Sequence, residues 1–270
     1  LLTWAEGPLY EYIANYLRKF DAWNIKTIIR GVYTDADRED VEDDLIRTGE
    51  FAGQTLDRLV EATSIEDAIE ALSGTIFGEP LEAAYEDFES SDVLVPLENA
   101  VDRAFFANLL DDSGQPEPDT PIALYREFLE AEIDFRNLRN ALRIARSGAE
   151  IDPGEYFIEG GQLFDAAGLG TLAANSDELV TAIRESTYGE DLSKALDELE
   201  SATSLIGFEH ALNTALLEYS EKLSNRYPLS ICPVLSYILA LLREVENIRA
   251  VARGREAGLP VEEIEEELIQ

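Results

Sequence analysis

The sequence predicts an all-α fold, on three grounds: helical periodicity, little strand-like alternation and an internal repeat. Apolar residues recur three and four positions apart along most of the 270 residues, the spacing of an amphipathic helix. The stretch EYFIEGG, Glu155–Gly161, alternates but is too short to predict a strand. A hydrophobic share of 46% can supply a sizeable core despite a formal net charge of -35, so the chain is predicted to be folded rather than disordered.

The helical segments can be placed in chain order. One face of the first carries Leu9, Ile13, Tyr16, Leu17, Phe20, Asn24 and Ile28. Ser64 is predicted to cap the next, with Asp67 in its first turn. A later helix carries Leu97, Val101, Ala104, Phe105 and Leu109, and a proline-rich loop is predicted over Asp111–Pro121. VEEIEEELIQ, after Pro260, predicts a final amphipathic helix.

One pattern occurs three times, and we call it the acid–asparagine motif. An acid stands three residues before an asparagine, and basic residues follow the asparagine at plus two and plus six. The copies lie in DAWNIKTIIRG, DFRNLRNALR and EVENIRAVARG, with asparagines at 24, 137 and 247. Gly78 and Gly189, 111 residues apart, keep nearly the same period, as do LENA at Leu97 and FEHA at Phe208. The repeat predicts three units: 1–30, the end of a first helical subdomain; 31–143, a second; and 144–270, a third with the C-terminal helix.

The motif could be a chemical site or a structural lock. On a helix the acid and the asparagine are neighbours, and a half-buried amide must find hydrogen bonds. Three equivalent catalytic centres in one chain are improbable, whereas three equivalent locks between helices are expected. Repetition therefore favours locks, and we predict that these nine residues form them: Asp21, Asn24, Arg30, Asp134, Asn137, Arg143, Glu244, Asn247 and Arg253.

Charge excludes some classes of protein. The chain has 56 acidic and 21 basic residues, so it would be repelled by nucleic acid and by anionic lipid. Lysine is scarce, and a carboxylate-rich, lysine-poor surface is typical of a salt-loaded cytoplasm. We predict a halophilic archaeal source; the alternative is an ordinary acidic protein.

Other candidate sites have simpler explanations. His210 is the only histidine and Cys232 the only cysteine, so neither a multi-histidine zinc site nor a disulfide can form. Gly160–Gly170 lacks the lysine of a phosphate-binding loop, and Glu262–Glu267 lacks the spacing of a calcium loop. The longest apolar stretch, Cys232–Leu242, is too short for a membrane span. We expect no catalytic, cofactor or metal site and no membrane insertion.

Several segments resemble the C subunit of archaeal A-type ATP synthases, the counterpart of the d subunit of eukaryotic vacuolar ATPases. They are NIKTIIRG, IRTGEF, FRNLRNALRIARSG and, most specifically, CPVLSYILALLREVENIRAVARGREAGLP. The resemblance implies three similar helical subdomains arranged as a funnel with pseudo-threefold symmetry. Only 23 residues precede Asn24, so the resemblance also implies that the first subdomain is truncated. With no methionine, we expect the sequence to start partway into a longer chain.

The resemblance also implies a role. The C subunit of this family is a non-catalytic part of the central stalk, on the cytoplasmic face of the membrane. It joins the proteolipid (c/K) ring to the stalk subunits D and F and couples rotation of the ring to ATP synthesis. Two other readings stay open: a generic helical adaptor, which would recover none of these partners, and a metal-dependent hydrolase, which would bind a divalent ion through Asp134.

Overall fold

The structure is a computed structural model, and the regular secondary structure of its described residues consists of helices joined by turns and loops. It describes residues 2–51, 53–117, 120–147, 153–173, 175–190, 192–193, 196–197, 205–266 and 268. No strand occurs in these ranges, so the all-α prediction is confirmed. The chain divides into unit 1, Leu1–Gly114 with Ile158–Gly160, and unit 2, Gln115–Phe157 with Gly161–Gln270. The predicted funnel and the repeat boundaries at 30/31 and 143/144 stay predictions.

Unit 1 is built around one long central helix. After a 3-10 turn, Leu2–Trp4, its helices are α1 (Pro8–Leu17), α2 (Lys19–Thr34), α3 (Arg38–Asp43), α4 (Gln54–Val60), α5 (Ile65–Ala71), α6 (Gly78–Ser91) and α7 (Val95–Ser113). The central helix is α2, which packs against α3, α4, α5 and α7. Its buried face includes Ile25, Ile28 and Ile29, so apolar burial holds the unit together.

Unit 2 is also organised by long helices. They are α8 (Pro121–Ser147), α9 (Ala166–Ala173), α10 (Ser176–Arg184), α11 (Leu205–Arg226), α12 (Cys232–Glu256) and α13 (Val261–Glu266), with a 3-10 turn at Pro153–Tyr156. The core is formed by residues of α8 to α11 and the connecting turns, among them Phe135, Leu138, Leu142, Leu179 and Ile183. α12 packs on α11 and more lightly on α8 and α13.

Some predicted boundaries shift. The first apolar face is divided between α1 and α2, because Arg18 ends one helix and begins the other. The predicted loop Asp111–Pro121 is shorter than expected: α7 continues to Ser113 and α8 starts at Pro121. Proline suits this first position, since its missing N–H would have no partner in the helix.

Predicted capping is confirmed. The Ser64 side chain accepts a hydrogen bond from the Asp67 N–H at 3.0 Å. The equivalent cap in unit 2 is Asn175, 111 residues later, which accepts from the N–H groups of Asp177 and Glu178. The two caps mark the same structural position in the repeat, although their side chains differ.

The repeat also has a counterpart in the turns that follow these helices. The Thr75 hydroxyl donates to the Leu72 carbonyl at 2.7 Å and accepts from the N–H two residues ahead at 3.2 Å. In the same way, the Ser186 hydroxyl donates to the Ile183 carbonyl at 2.7 Å and accepts from the Tyr188 N–H at 3.2 Å. Equivalent positions therefore fold in the same way, as the 111-residue spacing of Gly78 and Gly189 predicted.

Candidate functional site

The first motif lies on α2, and its acid is fully engaged by a loop. The Asp21 side chain is 1% exposed. Its two carboxylate oxygens accept hydrogen bonds from the backbone N–H groups of Glu50, at 2.7 Å, and Phe51, at 3.0 Å. Gly49 precedes these donors, and a Cβ there would overlap the carboxylate. Only glycine therefore lets the loop backbone come close enough to make both bonds.

The asparagine of the same motif binds the other end of this loop. The Asn24 amide nitrogen donates to the carbonyl of Ile46 at 2.8 Å, and the Ile46 N–H donates to the Asn24 side-chain oxygen at 2.8 Å. Asn24 is buried, so both halves of its amide need partners. The acid and the asparagine together fix the loop from 46 to 51 against α2.

The second motif, on α8, repeats the arrangement around Asp134. Its carboxylate accepts hydrogen bonds from the N–H groups of Gln162, at 3.0 Å, and Leu163, at 3.1 Å. A Cβ at Gly161 would overlap the Asp134 carboxylate, as one at Gly49 would overlap that of Asp21. A longer contact, 3.4 Å, comes from the Tyr188 hydroxyl. The asparagine of this motif, Asn137, is also buried, at 3% exposure.

Burial changes the titration of these groups. Loss of water raises the pKa of Asp21 from 3.8 to about 6, against the opposing effect of the two backbone hydrogen bonds. Burial likewise raises the pKa of Asp134, while the bonds from the loop and from Tyr188 oppose that rise. The pKa of Tyr188 is itself raised, by burial first and then by the Asp134 carboxylate. The loop bonds thus offset only part of the cost of burying these carboxylates.

The basic residues of the first motif hold a neighbouring helix. The Lys26 ammonium lies 2.6 Å from the Asp102 carboxylate, and the Arg30 guanidinium lies 2.5 Å from that of Glu98. Both acids are on α7, four residues apart, so the two ion pairs follow one face of that helix. In the second motif Arg139 is half-buried, and the side chain of Arg143 lies outside the described residues.

The third motif, on α12, has different surroundings. Glu244 is exposed, Asn247 half-buried and Arg253 exposed. These first two residues line an open groove of about 590 Å³. Its wall is formed by residues of α11 and α12 and by Leu268, two residues after the end of α13. The residues of α11 and α12 are Leu217, Glu221, Ala240, Arg243, Glu244, Asn247, Ile248 and Val251. The structure thus encloses two of the three predicted acids and leaves one facing solvent.

The arrangement of the two enclosed carboxylates is that of a structural contact. Backbone N–H groups occupy the oxygens that a metal ion or a substrate would need. Within the described ranges no group of three or more histidine, cysteine or acidic residues could hold a metal ion. Cys232 is buried, and burial raises the pKa of its thiol, which disfavours the reactive thiolate. The side chain of His210 lies outside the described residues.

No helix in the part of the chain that the structure describes has the length and apolarity needed to cross a bilayer.

Sequence reasoning missed the loops that bind the acids. In the sequence, IRTGEF is noticeable only because it resembles the family. The glycine-rich stretch from Gly160 is noticeable only as a segment that lacks the lysine of a phosphate-binding loop. Yet Gly49 and Gly161 are 112 residues apart, each 27 or 28 positions after its acid and two before an apolar residue. That spacing matches the repeat period, so aligning the copies through this glycine would have identified the loops.

Comparison with known proteins gives a consistent result. A family model described as ATP synthase (C/AC39) subunit matches residues 1–267. The C subunit of the A-type ATP synthase of Haloferax volcanii is 62% identical over 269 residues, which cover 100% of this chain and 76% of the relative. The Haloquadratum walsbyi protein of the same name is 59% identical over 271 residues, with coverages of 100% and 77%. That of Methanosarcina mazei is 31% identical over 272 residues, with coverages of 100% and 72%.

Proposed function

Since the chain belongs to the ATP synthase (C/AC39) subunit family, we propose that it is a non-catalytic, central-stalk subunit of an A/V-type ATP synthase. In this role it joins the membrane proteolipid ring to the stalk and transmits rotation during proton- or sodium-driven ATP synthesis. The observation that carries the proposal is the family match, which runs along residues 1–267 rather than through one short motif.

The hydrogen bonding of the motif supports a non-catalytic role. The acids that could have acted as general bases or metal ligands, Asp21 and Asp134, each accept two backbone hydrogen bonds inside their own unit. A catalytic carboxylate has to face its substrate in a cleft. We therefore infer that the motif residues hold helices and loops in position and make the protein rigid.

Stiffness is what a coupling subunit needs. A subunit transmits torque efficiently only if its internal contacts do not deform under load. The locks at Asp21 and Asp134 bind loops to the long helices α2 and α8, and the ion pairs of Lys26 and Arg30 join α2 to α7. Of the nine predicted lock residues, those that make these contacts are Asp21, Asn24, Arg30 and Asp134. They therefore serve the coupling role indirectly, through the rigidity of each unit.

The partners follow from the same role. They are the proteolipid (c/K) ring on one side and the stalk subunits D and F on the other, and the protein is a peripheral component on the cytoplasmic face of the membrane. A net charge of -35 would make acidic partners repel one another at low ionic strength. We expect binding to the stalk subunits to require multimolar salt.

Affinity purification from haloarchaeal membranes tests the proposal. A tagged copy, expressed in cells from which the native gene has been deleted, should recover the proteolipid and subunits D and F after mild solubilisation in multimolar salt. Membranes from these cells should regain ATP hydrolysis coupled to ion pumping, whereas cells without any copy should show hydrolysis that pumps no ions. Recovery of the chain without ring or stalk subunits would contradict the proposal and favour a generic adaptor.

A further inference from the structure

A cluster of aromatic rings lies at the surface where helices α2 and α6 end. The Tyr33 ring, in the last turn of α2, packs edge-on against the Phe88 ring, in the last turn of α6, with ring centroids 6.2 Å apart. Tyr85 also packs against Phe88, at 5.9 Å. The Tyr33 hydroxyl donates to the Asp92 carbonyl at 2.9 Å, next to Val93. Tyr33 is 43% and Val93 47% exposed, and we call Tyr33, Tyr85, Phe88 and Val93 the aromatic patch.

The helix ends beside the aromatic patch are negative. Helices α2 and α6 each run into an aspartate, Asp35 and Asp92, and neither has a basic residue in its last turn. An acid at this end adds to the negative pole of the helix dipole instead of opposing it. From 59 to 102 the sequence contains no lysine or arginine, so α6 brings no basic residue of its own.

Two further acids lie beside the patch. Loss of water raises the pKa of the Tyr85 hydroxyl, and the carboxylates of Glu89 and Glu66 raise it further, which places both acids close to this ring. Among the described residues, no ion pair includes Glu66, Glu89, Asp35 or Asp92. The patch therefore combines exposed aromatic rings with negative charge that the unit does not neutralise.

The end of α2 has a structural counterpart at the end of α12. Gly31 faces Val41, and Gly254 faces Ile264, with too little room for a Cβ in either case. The two glycines are as far apart in the sequence as the asparagines of their motifs. The two helix ends are therefore equivalent positions of the repeat.

These equivalent ends differ in charge. Four residues after the glycine stand Asp35 on α2 and Gly258 on α12, both in the left-handed region with φ 53° and 71°. Glycine adopts this backbone without steric cost and adds no charge. In addition, α12 carries Arg253 and Arg255 in its last turn, where bases oppose the dipole. Only the first copy of this helix end keeps an uncompensated negative charge.

The aromatic residues are also particular to unit 1. On the repeat spacing, the three rings correspond to one arginine and two leucines in unit 2: Arg146, Leu196 and Leu199. The fold that the units share therefore does not depend on the aromatic patch.

We propose that the aromatic patch is a docking site for an arginine side chain of a partner protein. The guanidinium packs against the rings of Tyr33 and Phe88, whose faces attract a cation. It lies near the carboxylates of Asp35, Glu89 and Asp92 and neutralises the two helix ends.

The chemistry of the patch favours arginine over other cations. A guanidinium is planar and weakly hydrated and stacks on aromatic rings, whereas the ammonium of lysine is a strongly hydrated point charge. Concentrated salt screens simple ion pairs at a surface, so the aromatic contact is the part of the interaction that persists there.

The openness of the patch favours a protein as the source of the arginine. Free small molecules bind in concave sites that bury most of their surface, whereas Tyr33 and Val93 are nearly half exposed. An arginine on a protein is held by the rest of its interface, and arginine and aromatic residues are enriched in interfaces. A second copy of this chain would bring a net charge of -35 to an already acidic surface and would be repelled.

An NMR titration with a capped peptide tests the chemistry. The peptide acetyl-Gly-Arg-Gly-amide is added, in multimolar potassium chloride, to protein with ¹³C-labelled tyrosine and phenylalanine rings. The signals of Tyr33, Tyr85 and Phe88 should shift and saturate. The matching lysine peptide should bind at least about threefold more weakly, and the citrulline peptide, which has the same shape but no charge, should give no saturable shift. Equal binding of the citrulline peptide, or no shift of these rings with the arginine peptide, would overturn the proposal.

Substitutions separate the patch from the rest of the acidic surface. Phe88→Leu removes a ring but keeps an apolar side chain and should weaken binding of the arginine peptide at least about fivefold. Glu89→Gln, at an exposed site that tolerates the change, should weaken it about twofold. Tyr237→Leu is the control, because this tyrosine is 54% exposed on α12, and it should leave binding unchanged. Affinities that stay at the wild-type value in both patch variants would contradict the proposal.

Photo-crosslinking tests for the partner protein, and this experiment rests on the proposed function. In the tagged complex purified from haloarchaeal membranes, benzoylphenylalanine replaces Val93 or, as a control, Leu229, which is 99% exposed in the turn before α12. The Val93 position should link to an arginine-bearing segment of a different protein, and the Leu229 position should not link to that segment. A product within one chain, a product between two copies, or none at all would overturn the docking site. Recovery of the ring and stalk subunits is scored separately, so a failure at Val93 leaves the proposed function intact.

Discussion

Helices α2 and α12 carry the same motif but lie in opposite surroundings. On α2 the acid, Asp21, is buried and bound by two backbone N–H groups, whereas on α12 the acid, Glu244, faces an open groove. The helices agree in the position of their acid, their asparagine and the glycine that lets the next helix cross. The comparison shows that the motif alone does not form a lock. The lock needs a loop that the chain places some 22 to 30 residues further on.

The largest expected effect comes from removing the bound acids. Asp21→Ala and Asp134→Ala each leave two part-buried N–H groups without their acceptor and open a space where the buried side chain was. We expect the free energy of unfolding to fall by about 2–5 kcal/mol. Glu244→Ala, the same change at the exposed copy, should alter it by less than about 0.5 kcal/mol. Denaturant unfolding in multimolar salt measures all three. A comparable loss for Glu244→Ala would remove the distinction between α2 and α12.

The second prediction concerns pH. With a pKa of about 6 instead of 3.8, folded Asp21 keeps its proton over a range in which the unfolded chain has released it. Its stabilising contribution is therefore complete below pH 3.8, is lost as the pH rises towards the folded pKa, and is constant above it. The difference in unfolding free energy between wild type and Asp21→Ala should fall by on the order of 2 kcal/mol across that window. A difference that grows with pH would refute the raised pKa.

The third prediction tests the glycines of the loops. Gly49→Ala and Gly161→Ala introduce a Cβ that would overlap the carboxylates of Asp21 and Asp134, so each loop must retreat and lengthen its hydrogen bonds. We expect losses of about 1–3 kcal/mol in the free energy of unfolding. Gly168→Ala is the control, since its Cβ would meet only the rotatable side chain of Asp165. It should stay within about 1 kcal/mol of wild type, because alanine favours a helix.

The smallest effect is expected at Tyr188. The surroundings of the two enclosed acids differ here, because unit 1 has a phenylalanine at the equivalent position. Its hydroxyl is 3.4 Å from the Asp134 carboxylate, a long hydrogen bond, whereas the equivalent Phe77 packs edge-on against Phe51 with ring centroids 5.9 Å apart. Tyr188→Phe should cost less than about 1 kcal/mol. It should also make the environment of Asp134 resemble that of Asp21. A loss as large as that of Asp134→Ala would mean that the hydroxyl, and not the loop, carries the lock.

Much of the fold could be predicted from the sequence, because local rules govern it. Helical periodicity, the cap at Ser64 and the recurrence of Asn24, Asn137 and Asn247 depend on neighbours in the chain. The acidic, lysine-poor composition predicted a halophilic archaeal source, and relatives of 58–62% identity come from haloarchaea. The family was recognised from the segment around Asn247, which the family match supports.

The rest depended on contacts between distant residues. The break at Arg18 interrupts an apolar face whose periodicity continues across it, so the pattern gave no sign of two helices. The partners of Asp21 are backbone N–H groups, which every residue but proline carries, so side-chain types could not identify them. The exposure of Ile248 was equally hidden, because its neighbours on α12 resemble those of Ile25 on α2.

The most direct test of the account is hydrogen exchange at the four loop amides that bind the acids. The N–H groups of Glu50, Phe51, Gln162 and Leu163 should exchange slowly in the wild-type protein, although they lie outside helices. Asp21→Ala should accelerate exchange at Glu50 and Phe51 and leave the amides that bind Asp134 protected, and Glu244→Ala should change none of them. If the four amides exchanged in the wild type as fast as those of an open surface loop, the motif would not be a lock and the central claim would be wrong.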